Sequence, residues 1–305
     1  MKGIFVSTKV EFKTPTTAEM LESGVHIGHQ ARHWNPAMEK YIFAVKSGKH
    51  IIDLGSTETN LAKALQALFD ISSTGGKVIF VSTKKQAIEV IETEAQRCGA
   101  LYVTERWLGG TLTNLPVIKR NIKKLLDYKS SREKGEFGKY TKKERLMLDR
   151  EIEKLERNYG GLTGLNAVPT ALFVIDARRE KTAIKEANKM KVPVFALVDT
   201  NTAPEGVSYV IPGNDDGLRS ISLIVKSVAD ALESGYAVYA KKLAEKGLVE
   251  TPVVVTDSVD TPVVVSASES PASTQKAGKK AIKAYENKDT EVDEASKKAK
   301  TSSNK

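Results

Sequence analysis

The first residues suited to metal chemistry are three histidines near the start of the chain. His26, His29 and His33 have the spacing H-x2-H-x3-H, and three imidazoles are a common ligand set for zinc. The spacing is loose, and we find no neighbouring cysteine or acid that completes the set. The same segment carries Arg32 and Trp34. We therefore predict no metal ligand here and keep contact with RNA as the alternative.

Carboxylates that follow apolar segments form a second group with chemical potential. Its members are Asp176, Asp199, Asp215 and Asp216. Open α/β sheets place ligand sites at the carboxyl ends of their strands, and paired aspartates can hold Mg²⁺. A metal-dependent or sugar-phosphate-dependent enzyme is the function that this arrangement would serve. We favour the other interpretation, in which these side chains cap the following helices and turns.

Motifs for nucleotide binding and for nucleophilic catalysis are missing. The turn Val81–Gln86, which follows the first buried strand, contains no glycine that would let a pyrophosphate approach the backbone. No G-x-S-x-G motif occurs, and Cys98, the single cysteine, has no neighbouring histidine. An internal disulfide is excluded because the chain has a single cysteine. We predict no catalytic residue and no cofactor.

A strongly basic helix is the feature that points to a polyanionic partner. Between Val117 and Arg132 the single acidic residue is Asp127. The basic residues there include two pairs that lie four positions apart: Lys119 with Lys123, and Arg120 with Lys124. Each pair lies on one helix face, so we expect a basic stripe opposite the apolar face of the helix. Phosphate groups would bind such a stripe and release counterions. A solvated helix face is the alternative.

The elements that must position these residues alternate along the chain. Short, continuous apolar runs are followed by segments with helical periodicity, and the runs lie at 78–81, 101–103, 171–175, 194–198 and 209–211. Strands that are apolar on both sides belong to parallel sheets covered on both faces. We predict an α/β fold with a Rossmann-like or flavodoxin-like parallel sheet.

Residues 115–159 have a different pattern. Apolar residues recur in steps of three and four on both sides of a glycine-containing segment, at Leu115, Ile118, Ile122 and Leu125, and again at Leu148, Ile152, Leu155 and Tyr159. This spacing predicts an inserted antiparallel coiled-coil hairpin. The sheet domain is then discontinuous, formed by residues 1–114 and 160–248.

The composition after residue 248 changes again. Residues 249–305 are rich in Ser, Ala, Lys, Glu and Thr and contain a repeated Thr-Pro-Val-Val-Val segment. This composition predicts a disordered tail, and the two repeats as strand-like docking segments are the alternative. From Glu250 to Lys305 there are 9 lysines and 9 acidic residues, so the whole net charge of +9 belongs to the preceding part of the chain. No apolar run of about 18 residues is present, so we expect a cytoplasmic protein without membrane contact.

Several longer motifs resemble those of the small-subunit ribosomal protein S-two family. They are Gly24–His29, Trp34–Met38, Arg106–Asn114, Pro169–Asp176 and Ile211–Asp216. The resemblance extends from about Thr16 to Gly235. His33 stands where the family more often has tyrosine or arginine, and the tail beyond about Leu248 has no general family counterpart.

The resemblance implies a structural protein of the bacterial small ribosomal subunit and not an enzyme. It implies binding to 16S rRNA between the head and body of the subunit, next to neighbouring small-subunit proteins. It also implies support for recruiting the large mRNA-binding ribosomal protein S-one. We predict that specificity comes from RNA shape, because the sequence contains no compact base-reading motif.

Nine residues are predicted to face RNA. Positively charged side chains would hold phosphates. Arg106 would either touch phosphate or anchor the helical hairpin to the sheet, and Trp34 would either stack on an unpaired base or pack in the core. The predicted residues are Arg32, Trp34, Lys84, Lys85, Arg106, Lys119, Arg120, Lys123 and Lys124.

Overall fold

A computed structural model describes residues 14–245 of the chain. Its strands are β1 (Ile27–Gln30), β2 (Ile42–Lys46), β3 (Lys49–Ile52), β4 (Val78–Val81), β5 (Leu101–Val103), β6 (Ala171–Ile175), β7 (Val194–Val198) and β8 (Tyr209–Pro212). Its helices are α1 (Thr17–Glu22), α2 (Leu54–Ser72), α3 (Lys85–Cys98), α4 (Leu115–Glu133), α5 (Lys142–Tyr159), α6 (Lys181–Lys189) and α7 (Leu218–Glu245).

The centre of the fold is a five-stranded sheet in the order β5-β4-β6-β7-β8, with every pair parallel. Side chains of each strand alternate between two apolar cores, as Phe80 and Phe173 on one face and Ile79 and Leu172 on the other show. One core is completed by α2, α3 and α7, and the other by α6 and the start of the 115–159 segment. The predicted α/β class, with helices on both faces, is confirmed.

The 115–159 segment forms two helices that pack on each other. Ile118 and Ile122 of α4 are buried, as is Ile152 of α5. Asn121 donates a hydrogen bond to the hydroxyl of Tyr159 at 2.8 Å, at the end of the helix pair next to the sheet. The predicted helix pair is therefore present. A coiled-coil geometry and the division of the chain into domains stay predictions, and the predicted tail lies outside the described residues.

A small antiparallel sheet, in the order β1-β3-β2, is formed by strands that precede the main sheet in the sequence. The turn between β2 and β3 uses Ser47 and Gly48, both with positive φ, which suits a tight two-residue hairpin. The apolar segments Tyr41–Val45 and His50–Leu54, separated by a Ser-Gly turn, predict this hairpin from the sequence. Strand β1 is not predicted, because its residues do not alternate in polarity.

Two element boundaries differ from those that the sequence pattern predicts. The segment His50–Leu54 predicts a strand up to Leu54, but β3 ends at Ile52 because the carboxylate of Asp53 accepts the amides of Gly55 and Ser56 and starts α2 there. The pattern of the last helix predicts Leu218–Leu232, but α7 continues to Glu245, and its Gly235 packs closely on Phe69 and Ser72 of α2.

No helix among residues 14–245 combines the length and apolar character needed to cross a membrane.

Candidate functional site

The carboxyl ends of the central strands and β1 together form a polar cluster. Nδ1 of His29 lies 2.9 Å from a carboxylate oxygen of Asp199, and its Nε2 lies 3.1 Å from one of Asp216. Lys84 Nζ lies 2.8 Å from Asp215 Oδ1 and 2.6 Å from Asp216 Oδ1. The sheet topology brings these residues together, since β4, β7 and β8 are parallel and end at the same edge.

Burial and charge shift the acid–base equilibria of this cluster. The hydrogen bond to Asp199 raises the pKa of His29. Burial, with added repulsion from Asp199 and Asp176, raises the pKa of Asp215 to about 7. Oδ2 of Asp215 is buried and has no hydrogen-bond partner among the described residues. Burying several carboxylates close together therefore raises the free energy of the folded state. Protonation of a carboxylate or binding of a cation would lower this free energy.

One set of residues in the described part of the chain has the geometry for a metal ion. His29, Asp199, Asp215 and Asp216 each offer a ligand atom, and these atoms lie within 4.8 Å of one another. One imidazole with three carboxylates would suit zinc or manganese. Such an ion would replace the proton that His29 shares with its acids. His26 and His33 are not in this set, so the three sequence-adjacent histidines do not form one ligand group.

The capping role that we favoured for the aspartates holds for Asp176, whose carboxylate accepts the amides of Arg178 and Arg179 at 3.1 and 3.2 Å. The carboxylate of Asp199 accepts the amide and hydroxyl of the adjacent residue Thr200, which does not cap a helix or turn. Asp215 and Asp216 are instead in ion pairs with Lys84. The turn at this point is closed by Asn214, whose side-chain oxygen accepts the amide of Asp216 at 2.8 Å.

Lys84 differs from the other residues predicted to face RNA, because it is buried. Its side chain is 8% exposed, and its ammonium group is taken up by Asp215 and Asp216. A phosphate would have to displace those carboxylates to reach it. The sequence does not reveal this contact, since Asp215 and Asp216 lie more than a hundred residues further along the chain. The prediction that Lys84 faces RNA does not fit this buried position, so the proposed RNA interface excludes it.

The remaining predicted residues outside the helix pair are exposed. Arg32, Lys85 and Arg106 all have exposed side chains. Trp34 is 37% exposed, and its ring lies against that of His50 with centroids 5.3 Å apart. One side of the Trp34 indole is thus packed while part of the ring stays open to a stacking partner.

Glu186 on α6 anchors the loop that leads into α4, a role that no sequence pattern indicates. Its carboxylate accepts the amide of Gly110 at 2.7 Å and that of Leu112 at 3.0 Å. The indole of Trp107, which is buried, points to the same carboxylate at 3.4 Å. Arg106 precedes this anchored segment, so its exposed side chain extends from a fixed support.

The predicted basic stripe on α4 is partly neutralised. Lys119, Arg120 and Lys123 are exposed, and none of them forms an ion pair within residues 14–245. Lys124 lies on the side facing α5, where its ammonium hydrogen-bonds Glu151. That hydrogen bond raises the pKa of Lys124. Three of the four stripe residues are thus free to meet an external anion.

The fold and these surfaces define a class: a flavodoxin-like α/β protein with an inserted helix pair that carries exposed cations. The family model described as ribosomal protein S2 matches residues 20–235. Two similar relatives are named small ribosomal subunit protein uS2. The protein from Roseiflexus sp. (strain RS-1) is 51% identical and that from Roseiflexus castenholzii (strain DSM 13941 / HLO8) is 50% identical. Each alignment spans 216 residues, which is 71% of this chain and 82% of the relative. The chain belongs to the ribosomal protein S2 family of the small ribosomal subunit.

Proposed function

We propose that the chain is a structural, non-catalytic constituent of the 30S subunit that binds 16S rRNA between head and body in the cytoplasmic ribosome. The observation that carries the proposal is a row of exposed cations on α4, Lys119, Arg120 and Lys123, none of which has an ion pair among the described residues. Each can hold a phosphate, which fixes the position of the protein without reading bases. Arg32, Lys85 and Arg106 add further exposed cations around the sheet, and Trp34 adds an exposed aromatic ring.

We expect the α4 row to contribute through charge. Replacing Lys119, Arg120, Lys123 and Lys124 together with alanine should weaken incorporation into subunits that lack this protein. The loss should reach about tenfold or more near physiological salt, with a shallower salt dependence, because each lost phosphate contact lowers the salt slope by roughly 0.7–0.9. Sedimentation of reconstituted subunits measures the effect.

The matched control is Lys142, Lys143, Arg145 and Lys154 on α5, four exposed basic residues that share their helix with several acids. Replacing them should leave incorporation close to that of the wild type. An α4 variant that enters subunits normally, with an unchanged salt slope, would remove the row from the interface. Thermal unfolding of both variants checks that the fold is intact.

Support for recruiting the mRNA-binding protein S-one is the second part of the proposal. Phe43 is 76% exposed and Val45 55% exposed on the small sheet, which is unusual for apolar side chains on a strand and fits a protein contact. The same reconstituted subunits test this part. Those containing the wild-type protein should retain added S-one in a gradient, and subunits lacking the protein should not.

A further inference from the structure

The segment around α6 has an unusual separation of charge. Residues 177–191 contain six basic residues and two acidic ones. The basic residues are Arg178, Arg179, Lys181, Lys185, Lys189 and Lys191, here called the α6 basic face, and the side chains of all six are exposed. No ion pair among residues 14–245 includes any of them.

The two acids of the segment are turned away from this face. Glu180 is 3% exposed and accepts the amide and hydroxyl of Thr83 at 2.9 and 2.7 Å. Glu186 is occupied by the amides of Gly110 and Leu112. The negative charges that would mix with the lysines of an ordinary solvated helix are therefore used for internal hydrogen bonds.

The cations follow one line along the helix. Lys181, Lys185 and Lys189 are four residues apart, which places them on one side of α6 about 6 Å apart along its axis. The opposite side of the helix is buried against the sheet through Ala183 and Ile184. A small anion would need cations that converge on one point. A line of separate cations instead suits a linear polyanion such as a nucleic-acid backbone.

The inward-turned acids also place this face next to residues already expected to meet RNA. Glu180 holds the loop that contains Thr83, two positions before Lys85. Glu186 holds the loop that follows Arg106. These two contacts connect α6 to the segment that precedes Lys85 at the start of α3 and to the loop that follows Arg106. Helix α6 and these two segments together present the exposed cations of the α6 basic face, Lys85 and Arg106.

One exposed acid belongs to a loop that contacts α6. Glu205 precedes Gly206, whose carbonyl accepts a hydrogen bond from Asn188 at 3.0 Å. Glu205 forms no ion pair with any described residue, so it leaves the lysines unneutralised.

We propose that the α6 basic face binds the phosphate backbone of ribosomal RNA. This inference rests on the proposed rRNA-binding function and adds a second surface to the α4 row. The contact is made to the backbone and carries no base specificity, because lysine and arginine side chains in a row position the strand by charge alone.

The test compares two triple variants with equal loss of charge. Lys181→Gln, Lys185→Gln and Lys189→Gln remove the line of cations on α6. Lys226→Gln, Lys241→Gln and Lys242→Gln remove three exposed lysines from α7, which also carries exposed Asp230 and Glu233. Glutamine keeps helix propensity close to that of lysine. Binding to protein-free 16S rRNA and to small subunits lacking this protein is measured over a range of KCl concentrations.

We expect the α6 variant to bind both targets at least about tenfold more weakly near 150 mM salt. Its salt slope should fall by about 2, for three lost phosphate contacts. The α7 variant should stay within about twofold of the wild type. The double variant Arg178→Gln and Lys191→Gln, outside the helix, repeats the test should the triple variant unfold early.

Each contrary outcome has a separate meaning. An α6 variant that matches the α7 variant, while the wild type binds rRNA, overturns the α6 assignment alone. An α6 variant that binds protein-free rRNA normally but fails to enter subunits also overturns it, and assigns the face to a protein neighbour. A wild-type protein that binds neither target overturns the proposed function together with this inference.

Discussion

At the scale of single residues, the chemistry of this protein is concentrated in the buried cluster around Asp215. Its carboxylate shares Lys84 with Asp216 and has one oxygen without a hydrogen-bond partner among the described residues. Burial raises the pKa of Asp215 from 3.8 to about 7. The hydrogen bond to Asp199 also raises the pKa of His29. Both groups hold protons more tightly in the folded chain than in the unfolded one.

These raised pKa values set the sign of a pH dependence. In a chelator-treated protein, the free energy of unfolding should fall as pH rises from about 5 to 8, because the folded state binds the extra protons. Asp215→Asn should flatten this slope below about pH 7, by up to about 1.4 kcal/mol per pH unit, because one proton fewer is then bound by the folded state. Urea unfolding across this pH range measures it.

Asp127→Asn on the exposed face of α4 is the control and should leave the slope unchanged. An Asp215→Asn protein with the same slope as the wild type would show that Asp215 does not titrate in this range.

At the scale of elements, α6 connects the parts that carry the candidate interface. Its inner face packs on the sheet, while Glu180 and Glu186 bind two separate loops. The loop held by Glu186 leads directly into α4, so α6 also fixes where the helix pair begins. Amides held by a buried or half-buried carboxylate form strong, charge-assisted hydrogen bonds.

We therefore expect Glu186→Gln to loosen the start of the helix pair. Glutamine offers one acceptor oxygen where glutamate offers two, so the amide of either Gly110 or Leu112 loses its partner. The cost should be about 1–3 kcal/mol of unfolding free energy, with faster hydrogen exchange at these amides. Glu205→Gln, at an exposed position, should change neither quantity, and unaltered exchange in Glu186→Gln would contradict the anchoring role.

At the scale of the whole molecule, the distribution of charge separates the body from the tail. The net charge of +9 lies entirely before Glu250, since the later residues contain 9 lysines and 9 acids. The family match also ends at residue 235. Long-range attraction to RNA depends on net charge and on its concentration on a surface, so the body should account for it.

A chain ending at Leu248 should accordingly bind 16S rRNA with the affinity and salt slope of the full chain, within about twofold. Filter binding at several salt concentrations measures both quantities, with the α4 variant as the positive control for a reduced slope. A clear loss of slope on removing residues 249–305 would assign RNA contacts to the tail.

The sequence alone determined the fold class and the order along the chain of the strands of the main sheet and of the helix pair. The apolar runs at 78–81 and 171–175 predicted buried parallel strands, and the structure has them at these positions. Periodic spacing predicted α4 and α5 for the same kind of reason. Local patterns suffice here because burial of one or both faces of an element requires apolar residues at regular spacing or in a continuous run along the sequence.

Side-chain partners between distant segments were decided by tertiary structure. Lys84 was assigned to RNA from its neighbours in sequence, yet it lies in the protein against Asp215, 131 residues further on. The α6 basic face is not recognisable from the sequence as a separate surface, because only the contacts of Glu180 and Glu186 show that these two acids point into the protein. A count of charged residues along a chain does not say which side chains point outward. The direction of each side chain is set by packing between elements that are far apart in sequence.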